Sequence, residues 1–454
     1  MPRIMKSLRL ALLLPLLCLP RSVADEVAQL ALPERFLPGL EQLLRAAVQQ
    51  SPQMLNRALD LEIAENNRIA ARANLLPNVG GWANYYEAKD ARADLPGRLD
   101  VTKIGYNFTL NQPLFFWGER RNSARMGEIQ AAIAQGQYRD GYRFLAQSLR
   151  SDYLRLIIQK KTVERAVYNL NFLQRQLQQS EERLAKKDIS ELQIAAIRLA
   201  AEQAQIATEQ VQYDYEMLKA SVARMAGRPP LQDEEIPAAV PAAGYDTTAF
   251  ERLLASYLGQ KELPSVEAIT ARKLMENQQL SYANVKTRLL PKFSLSLGAS
   301  QDEQSYTLNV GQKYRVNSLF GGFTATWTIF DGLAAQAATR NELARRRQMQ
   351  NDYQQLTERL TQQAQTQVKL VNFAARRMVI SDRGLTASEN TLKAREDDFK
   401  RGAVSDADVS QARLALYDAE IAAYYGRMDF LSRTGDFLGT IAGDPVTAYL
   451  PASR

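Results

Sequence analysis

Two long stretches of this chain carry apolar residues at helical spacing and contain no proline. They lie between Pro113 and Pro229 and between Pro291 and Pro445. The apolar positions form a narrow stripe of coiled-coil width. They are Leu145, Leu149, Tyr153, Leu156, Val163, Val167, Leu170 and Leu177 in the first stretch, and Leu356, Leu360, Ala364, Val368, Val371, Ala375 and Met378 in the second. Proline breaks a helix interior at a cost of about 3 kcal/mol, so its absence over such lengths predicts long helices.

Each stripe is interrupted once by residues that are typical of a helix end. The interruption lies at 186–190 in the first stretch and at 401–405 in the second. Gly402 suits the left-handed residue that follows a helix, and Ser405 or Asp406 suits the cap that begins the next one. Each stretch is therefore predicted to fold back on itself as a hairpin of two helices, with these interruptions at the tips.

A pair of segments with strand-like alternation precedes each helical stretch. The clearest example is Phe293-Ser294-Leu295-Ser296-Leu297. The four predicted strands cover about 78–86, 105–113, 292–300 and 320–329, and the polar segments 87–104 and 301–319 join them in pairs. Each strand has about 9–10 residues, enough to cross a membrane at a tilt. Because the mean hydropathy is −0.33 and the mature chain has no long apolar run, membrane insertion would have to use these strands.

The two halves of the chain repeat each other in order. Phe108, Phe115, Ser190 and Arg198 recur 215 residues later as Phe323, Phe330, Ser405 and Arg413, and Leu75-Leu76-Pro77 recurs 214 residues later as Leu289-Leu290-Pro291. Such ordered matches indicate a duplicated helix–strand–strand–helix unit. The predicted domains are a first repeat over 25–228, a second over 249–444 and a short tail over 445–454. The proline-rich and alanine-rich segment 229–248 joins the repeats and is expected to pack outside the helices.

The amino terminus is typical of a secretion signal. A basic start precedes the apolar run 10–19, and the small residues Ser22 and Ala24 place a cleavage site after residue 24. Four of the 57 lysines and arginines lie in this signal, so the net charge falls from +7 to +3 in the mature chain. The basic balance therefore gives little support to a nucleic-acid partner, and we expect none.

The residue types that most often carry chemistry are missing from the mature chain. The sequence has no histidine, and its single cysteine, Cys18, belongs to the signal. The chain thus lacks the commonest general base, the commonest transition-metal ligand and any thiol. This disfavours an enzyme, and we expect neither a metal nor a cofactor.

Four strands per chain have a consequence for assembly. The smallest membrane barrels have about eight strands, and an open sheet edge is costly in lipid. Strands that cross a membrane would therefore require several copies of the chain. Aromatic residues in or beside the strands fit a girdle at the membrane interface, although an aromatic core under a small soluble sheet is an alternative. They are Trp82, Trp117, Trp327, Phe115 and Phe330.

Taken together, the chain resembles the TolC-like outer membrane efflux proteins over nearly its whole mature length. The resemblance rests on the Leu-Leu-Pro turns, on Pro113-Leu114-Phe115-Phe116-Trp117-Gly118 and Ile329-Phe330-Asp331-Gly332, and on the run from Phe399 to Ser405 followed by Asp408-Val409 and Arg413-Leu414. It implies a mainly α-helical chain that contributes four strands to the shared twelve-stranded β-barrel of a homotrimer, with a long coiled-coil α-barrel in the periplasm. The implied function is a passive exit duct in the outer membrane of a Gram-negative bacterium, part of a tripartite efflux or type I secretion system.

The same resemblance implies partners and sites. The partners are outer-membrane lipid, an inner-membrane transporter and a periplasmic adaptor, the membrane fusion protein. The adaptor is expected to dock at the tips, at Arg401, Gly402, Ala403, Val404, Lys186, Lys187 and Asp188. The family places acidic residues at a periplasmic gate, where Asp408 and the uncharged Gln411 match and Asp406 lies nearby. An ordinary solvated carboxylate at a helix start remains the alternative for Asp408.

A second class of protein stays open at this point. A periplasmic coiled-coil adaptor of a transport complex is also exported and also carries a helical hairpin. Such adaptors usually have one hairpin flanked by β-rich halves, whereas this chain has two hairpins and a duplicated strand pair.

Overall fold

The chain forms two compact units, each built from several stretches of sequence. The computed structural model describes residues 30–91, 98–305 and 313–451. The first unit covers 30–57, 139–266 and 357–451, and the second covers 58–138 and 267–356. The predicted signal over 1–24 lies outside the described residues.

The described elements follow the order that the repeat predicts. The α-helices are α1 (Pro33–Phe36), α2 (Pro38–Gln50), α3 (Pro52–Ala73), α4 (Glu119–Ala185), α5 (Glu191–Ala226), α6 (Thr247–Leu258), α7 (Val266–Lys286), α8 (Ala334–Lys400) and α9 (Asp406–Thr440). The strands are β1 (Asn78–Ala91), β2 (Arg98–Phe115), β3 (Lys292–Ser305) and β4 (Lys313–Thr326), and short 3₁₀ helices lie at Asp233–Glu235 and Pro445–Tyr449.

The predicted duplication into helix, two strands and a helical hairpin is confirmed. The long arms α4 and α8 have 67 residues each, and the returning arms α5 and α9 have 36 and 35. Among the described helices, none combines the length and the apolar character needed to cross a membrane.

The strands form one antiparallel sheet in the order β1-β2-β3-β4. They have 14, 18, 14 and 14 residues, so they are longer than the alternating pattern predicted. Strand β4 also ends at Thr326, three residues before the predicted end. The pattern identified only the part of each strand with an apolar face. The hydrogen-bonded ladder continues through polar pairs such as Glu87 with Thr102, which the sequence had placed in joining segments. Parts of those segments, 92–97 and 306–312, lie outside the described residues.

The register gives the sheet one mainly apolar face and one mainly polar face. Residues directly opposite each other on neighbouring strands share a face, as Leu110 and Leu297 do. The apolar face carries Phe108, Leu110, Phe293, Leu295, Leu297, Ala299, Leu319, Phe323 and Ala325. The polar face carries Asn107, Thr109, Asn111, Ser294, Ser296, Ser300, Ser318, Thr324 and Thr326. A sheet of this kind suits a boundary between lipid and water.

In the first unit, the segment between the two repeats packs onto the first hairpin. The Lys219 ammonium lies 2.7 Å from an Asp233 carboxylate oxygen, and the Tyr215 hydroxyl donates to the same oxygen at 3.1 Å. The hydrogen bond from Lys219 lowers the pKa of Asp233. Lys160 donates to the backbone oxygens of Asp233 and Ile236. These bonds hold the start of the linker against α4 and α5.

The first unit also contains a buried ion cluster that joins the segments around Glu34 and Asp444 to α4. Arg150 of α4 donates two hydrogen bonds to Glu34 of α1 and two to Asp444. All three side chains are at most 6% exposed. Asp444 also accepts from the Val446 backbone and so begins the last 3₁₀ helix. The cluster therefore fixes the amino-terminal and carboxyl-terminal segments onto the same helix.

Candidate functional site

The two hairpin tips have the same backbone conformation although their sequences differ. At the end of α4, the Lys187 N–H donates to the Leu184 oxygen at 2.8 Å and the Asp188 N–H to the Arg183 oxygen at 2.9 Å. The Gly402 and Ala403 N–H groups make the equivalent bonds at the end of α8, both at 2.9 Å. This pair of bonds is the Schellman arrangement that closes a helix. It requires a left-handed residue, and φ is 64° at Lys187 and 74° at Gly402.

The returning helices also begin in the same way. Ser190 accepts a hydrogen bond from the Gln193 N–H while the Gln193 side chain accepts from the Ser190 N–H, and Ser405 and Asp408 form the same reciprocal pair. This is a capping box, which satisfies two backbone donors at a helix start. The Ser405 hydroxyl and N–H lie 2.6 and 2.9 Å from one Asp408 carboxylate oxygen, and these bonds lower the pKa of Asp408. The predicted gate residue thus helps to build its own tip.

This role of Asp408 was not predicted, although the signal was present. Serine followed three residues later by a hydrogen-bonding side chain is the sequence signature of the capping box, and it occurs at Ser190 and at Ser405. The other two predicted gate residues lie nearby and are exposed. Gln411 is three residues from Asp408, so the two share one side of α9. Asp406 is two residues away, about 200° around the helix axis, so it does not extend a ring formed by Asp408.

Charged side chains at the two tips are paired differently. At the second tip, Lys400 lies 3.1 Å from Asp397 and Arg401 lies 2.5 Å from Asp398. At the first tip, Lys186 and Lys187 are exposed, and no carboxylate of the described residues lies within 4.0 Å of either ammonium. The two tips therefore share a fold but present different charges.

The predicted aromatic residues gather where the strands meet the helices. The Trp117 indole N–H donates to the Pro291 oxygen at 2.8 Å, and the Trp327 indole N–H donates to the Leu289 oxygen at 2.9 Å. Both indoles are therefore tied to the Leu-Leu-Pro turn before β3. Phe115 packs edge-on against Trp117 with ring centres 4.9 Å apart. Phe330 follows β4 and is 74% exposed.

Trp82 lies elsewhere. It pairs with Asn107 in the sheet register, so it belongs to the polar face. The sequence did not show which face holds Trp82, because the glycines before it obscure the alternation of β1. The interfacial role expected for Trp82 stays a prediction.

Comparison with known proteins agrees with this arrangement. A family model described as outer membrane efflux protein matches residues 43–228 and 267–427, one stretch in each repeat. No curated protein gives a significant sequence match. Among solved structures, the CmeC outer membrane channel of Campylobacter jejuni is similar at 12% identity, with 91% of this chain and 90% of that chain covered and a TM-score of 0.69.

Two further outer-membrane protein structures give the same result. The outer membrane protein VceC of Vibrio cholerae has 16% identity, 91% and 98% coverage and a TM-score of 0.64. The open state of the Neisseria gonorrhoeae MtrE outer membrane channel has 14% identity, 90% and 89% coverage and a TM-score of 0.63. At these identities the likeness concerns the fold, while the family match concerns the sequence itself.

Proposed function

Because this chain belongs to the outer membrane efflux protein family, we propose that it assembles as a homotrimer whose sheets join into one membrane barrel, and that cargo passes through without any chemistry by this chain. As the sequence predicted, the chain is an outer-membrane efflux channel with a periplasmic helical part. A channel fits the family match better than a periplasmic adaptor does. The family is one of channels that work with an adaptor and an inner-membrane pump, and it is not an enzyme family.

The observation that carries the trimer is the pair of open sheet edges. Within the described sheet, β1 and β4 each have a single neighbour. An unpaired backbone group in lipid costs several kcal/mol, so membrane sheets close on themselves. Antiparallel pairing of β4 in one copy with β1 in the next extends the sheet without a free edge, and three copies give the twelve strands that the resemblance implies.

An exposed apolar stripe on α5 supports the same assembly. Leu192, Leu199, Ile206 and Tyr213 recur every seven residues and are 83%, 55%, 66% and 64% exposed in the single chain. An interval of seven returns to one side of a helix every two turns, the spacing by which helices pack in coiled coils. A stripe of this kind is covered in a stable protein, and we propose that a helix of the neighbouring copy covers it.

We expect the protein extracted from outer membranes in mild detergent to have three times the mass of the processed chain by native mass spectrometry. Replacing Leu199 and Ile206 together with glutamate places charges in the contact and should convert most of the trimer to smaller species. Gln212→Glu, at an exposed polar position of the same helix, serves as the control and should leave the trimer intact. A wild-type monomer recovered from the soluble periplasmic fraction would refute the proposal.

We also propose that Asp408, repeated around the trimer axis, favours cations at the periplasmic entrance. The structure offers a variant that separates charge from folding, because Gln193 fills the same capping position in the first repeat without a charge. Asp408→Gln should therefore keep the tip and lower the cation-to-anion permeability ratio in planar bilayers by roughly half or more. Asp408→Ala removes the cap as well and shows the effect of a loosened tip. If the cation-to-anion permeability ratio is unchanged in Asp408→Gln, the role of Asp408 is limited to capping the helix.

Both tips are proposed to dock the periplasmic adaptor. The docking residues are exposed except for the half-buried Val404, and outside the adjoining backbone no atom lies within 4 Å of the position that a Cβ would take at Gly402. Their shared backbone conformation would offer an adaptor the same turn twice in each chain.

A further inference from the structure

The two tips differ most at the left-handed position of the Schellman turn. The second tip has Gly402 there, which is the usual residue because it has no Cβ. The first tip has Lys187 with φ of 64°, a conformation that is unfavourable for any residue with a Cβ. Nothing in the backbone requires lysine, since both turns make the same two hydrogen bonds. A residue kept in an unfavourable conformation points to a function of its side chain.

The two tips also differ in whether their cationic side chains are paired with carboxylates. The cations of the second tip, Lys400 and Arg401, are paired with carboxylates one turn earlier on their own helix. Lys186 and Lys187 have no such partner among the described residues, and the neighbouring Asp188 carboxylate is more than 4.0 Å from both. The first tip thus has two exposed ammonium groups without a carboxylate partner among the described residues, whereas both cations that end α8 at the second tip are paired.

We propose that the first tip, through Lys187 and with support from Lys186, binds a carboxylate side chain at the tip of the periplasmic adaptor. The second tip binds the same partner through its glycine backbone. This inference rests on the proposed docking of the adaptor at the tips and adds the chemistry of one contact. The first tip is then the one that selects the partner, because an opposite charge at a defined position attracts one adaptor and a like charge repels another.

The two tips supply their own reciprocal variants. Lys187→Gly gives the first tip the residue found at the second, removes the charge and relieves the unfavourable conformation. Gly402→Lys gives the second tip the residue found at the first. Binding is measured by biolayer interferometry between the detergent-solubilised trimer and the soluble part of the periplasmic adaptor that is cross-linked to this channel in cells, at several salt concentrations. Lys187→Arg and Lys400→Gln are the controls, since the first keeps the charge and the second alters a cation that is already paired.

We expect Lys187→Gly to weaken binding about tenfold, as for the loss of one charge-assisted hydrogen bond at an interface, and to reduce its salt dependence. Lys187→Arg and Lys400→Gln should bind like wild type. A lysine in place of the carboxylate partner on the adaptor should restore binding to Lys187→Glu. Because glycine is the favoured residue at position 187, weaker binding of Lys187→Gly is not explained by unfolding of the turn.

The possible failures are distinct. If Gly402→Lys weakens binding and Lys187→Gly does not, the tips dock the adaptor and the proposed carboxylate contact is wrong. If neither variant changes binding, or if wild type does not bind, the docking proposal itself is wrong. If Lys187→Gly dissociates the trimer, the lysine serves a neighbouring copy of this chain, and the inference is overturned.

Discussion

Replacing Arg150 with methionine will destabilise the first unit by about 3–5 kcal/mol, the range measured when one member of a buried ion pair is removed. Arg150 is only 2% exposed, and its guanidinium lies 2.7 Å from one Asp444 oxygen and 2.9 Å from one Glu34 oxygen. Burial alone would lower the pKa of Arg150, but the charges and hydrogen bonds of Asp444 and Glu34 outweigh burial and raise it. Without the arginine, two carboxylates would be left buried and facing each other.

The measurement is the urea concentration at which half of the purified trimer unfolds, followed by far-ultraviolet circular dichroism. Limited proteolysis should also show that both terminal segments are released in Arg150→Met, because Glu34 and Asp444 hold them. The matched control is Arg165→Met on the same helix. Its partner Asp418 lies at 2.5 Å, but the two side chains are 37% and 56% exposed, so the loss should be under about 1 kcal/mol. Equal losses for the two variants would show that burial does not strengthen the cluster.

The ion cluster illustrates what the sequence could not predict. Glu34 precedes Arg150 by 116 residues, and Asp444 follows it by 294. No local pattern connects residues at such separations, and a buried charge looks like any exposed one in a sequence. The helical hairpins were predictable for the opposite reason. Their signal is a run of apolar residues at helical spacing without proline, and the duplicated sequence contains that signal twice.

The tips lie between these two cases. Their positions followed from the interrupted stripe, but only the second interruption contains a glycine, Gly402, that suits the left-handed residue of a helix end. The structure has the same turn in both, because the Schellman hydrogen bonds involve backbone groups that lysine and glycine share. Strand ends were hard to predict for a related reason. Backbone pairing continues beyond the residues whose side chains alternate, as at Glu87.

A second large effect is expected at Gly227, which ends α5. Its φ is 72°, and a Cβ built there would lie 2.1 Å from the Gln50 oxygen and 2.3 Å from the Gln50 carbonyl carbon. Gly227→Ala therefore combines two costs. The left-handed conformation costs about 1–2 kcal/mol for a residue with a Cβ, and the overlap with backbone forces a shift that costs about 1–3 kcal/mol more. A total loss of about 3 kcal/mol is expected.

Gly402→Ala separates the two costs, because φ there is 74° and a Cβ would meet no atom within 4 Å. It should lose only the conformational part, about 1 kcal/mol. The same urea titration of both variants then gives the cost of the close approach by difference, about 2 kcal/mol. That difference is a direct measure of how tightly the end of α2 is held against the end of α5. If Gly227→Ala and Gly402→Ala lose the same stability, the Gln50 backbone yields freely, and the first unit is looser at this contact than its geometry indicates.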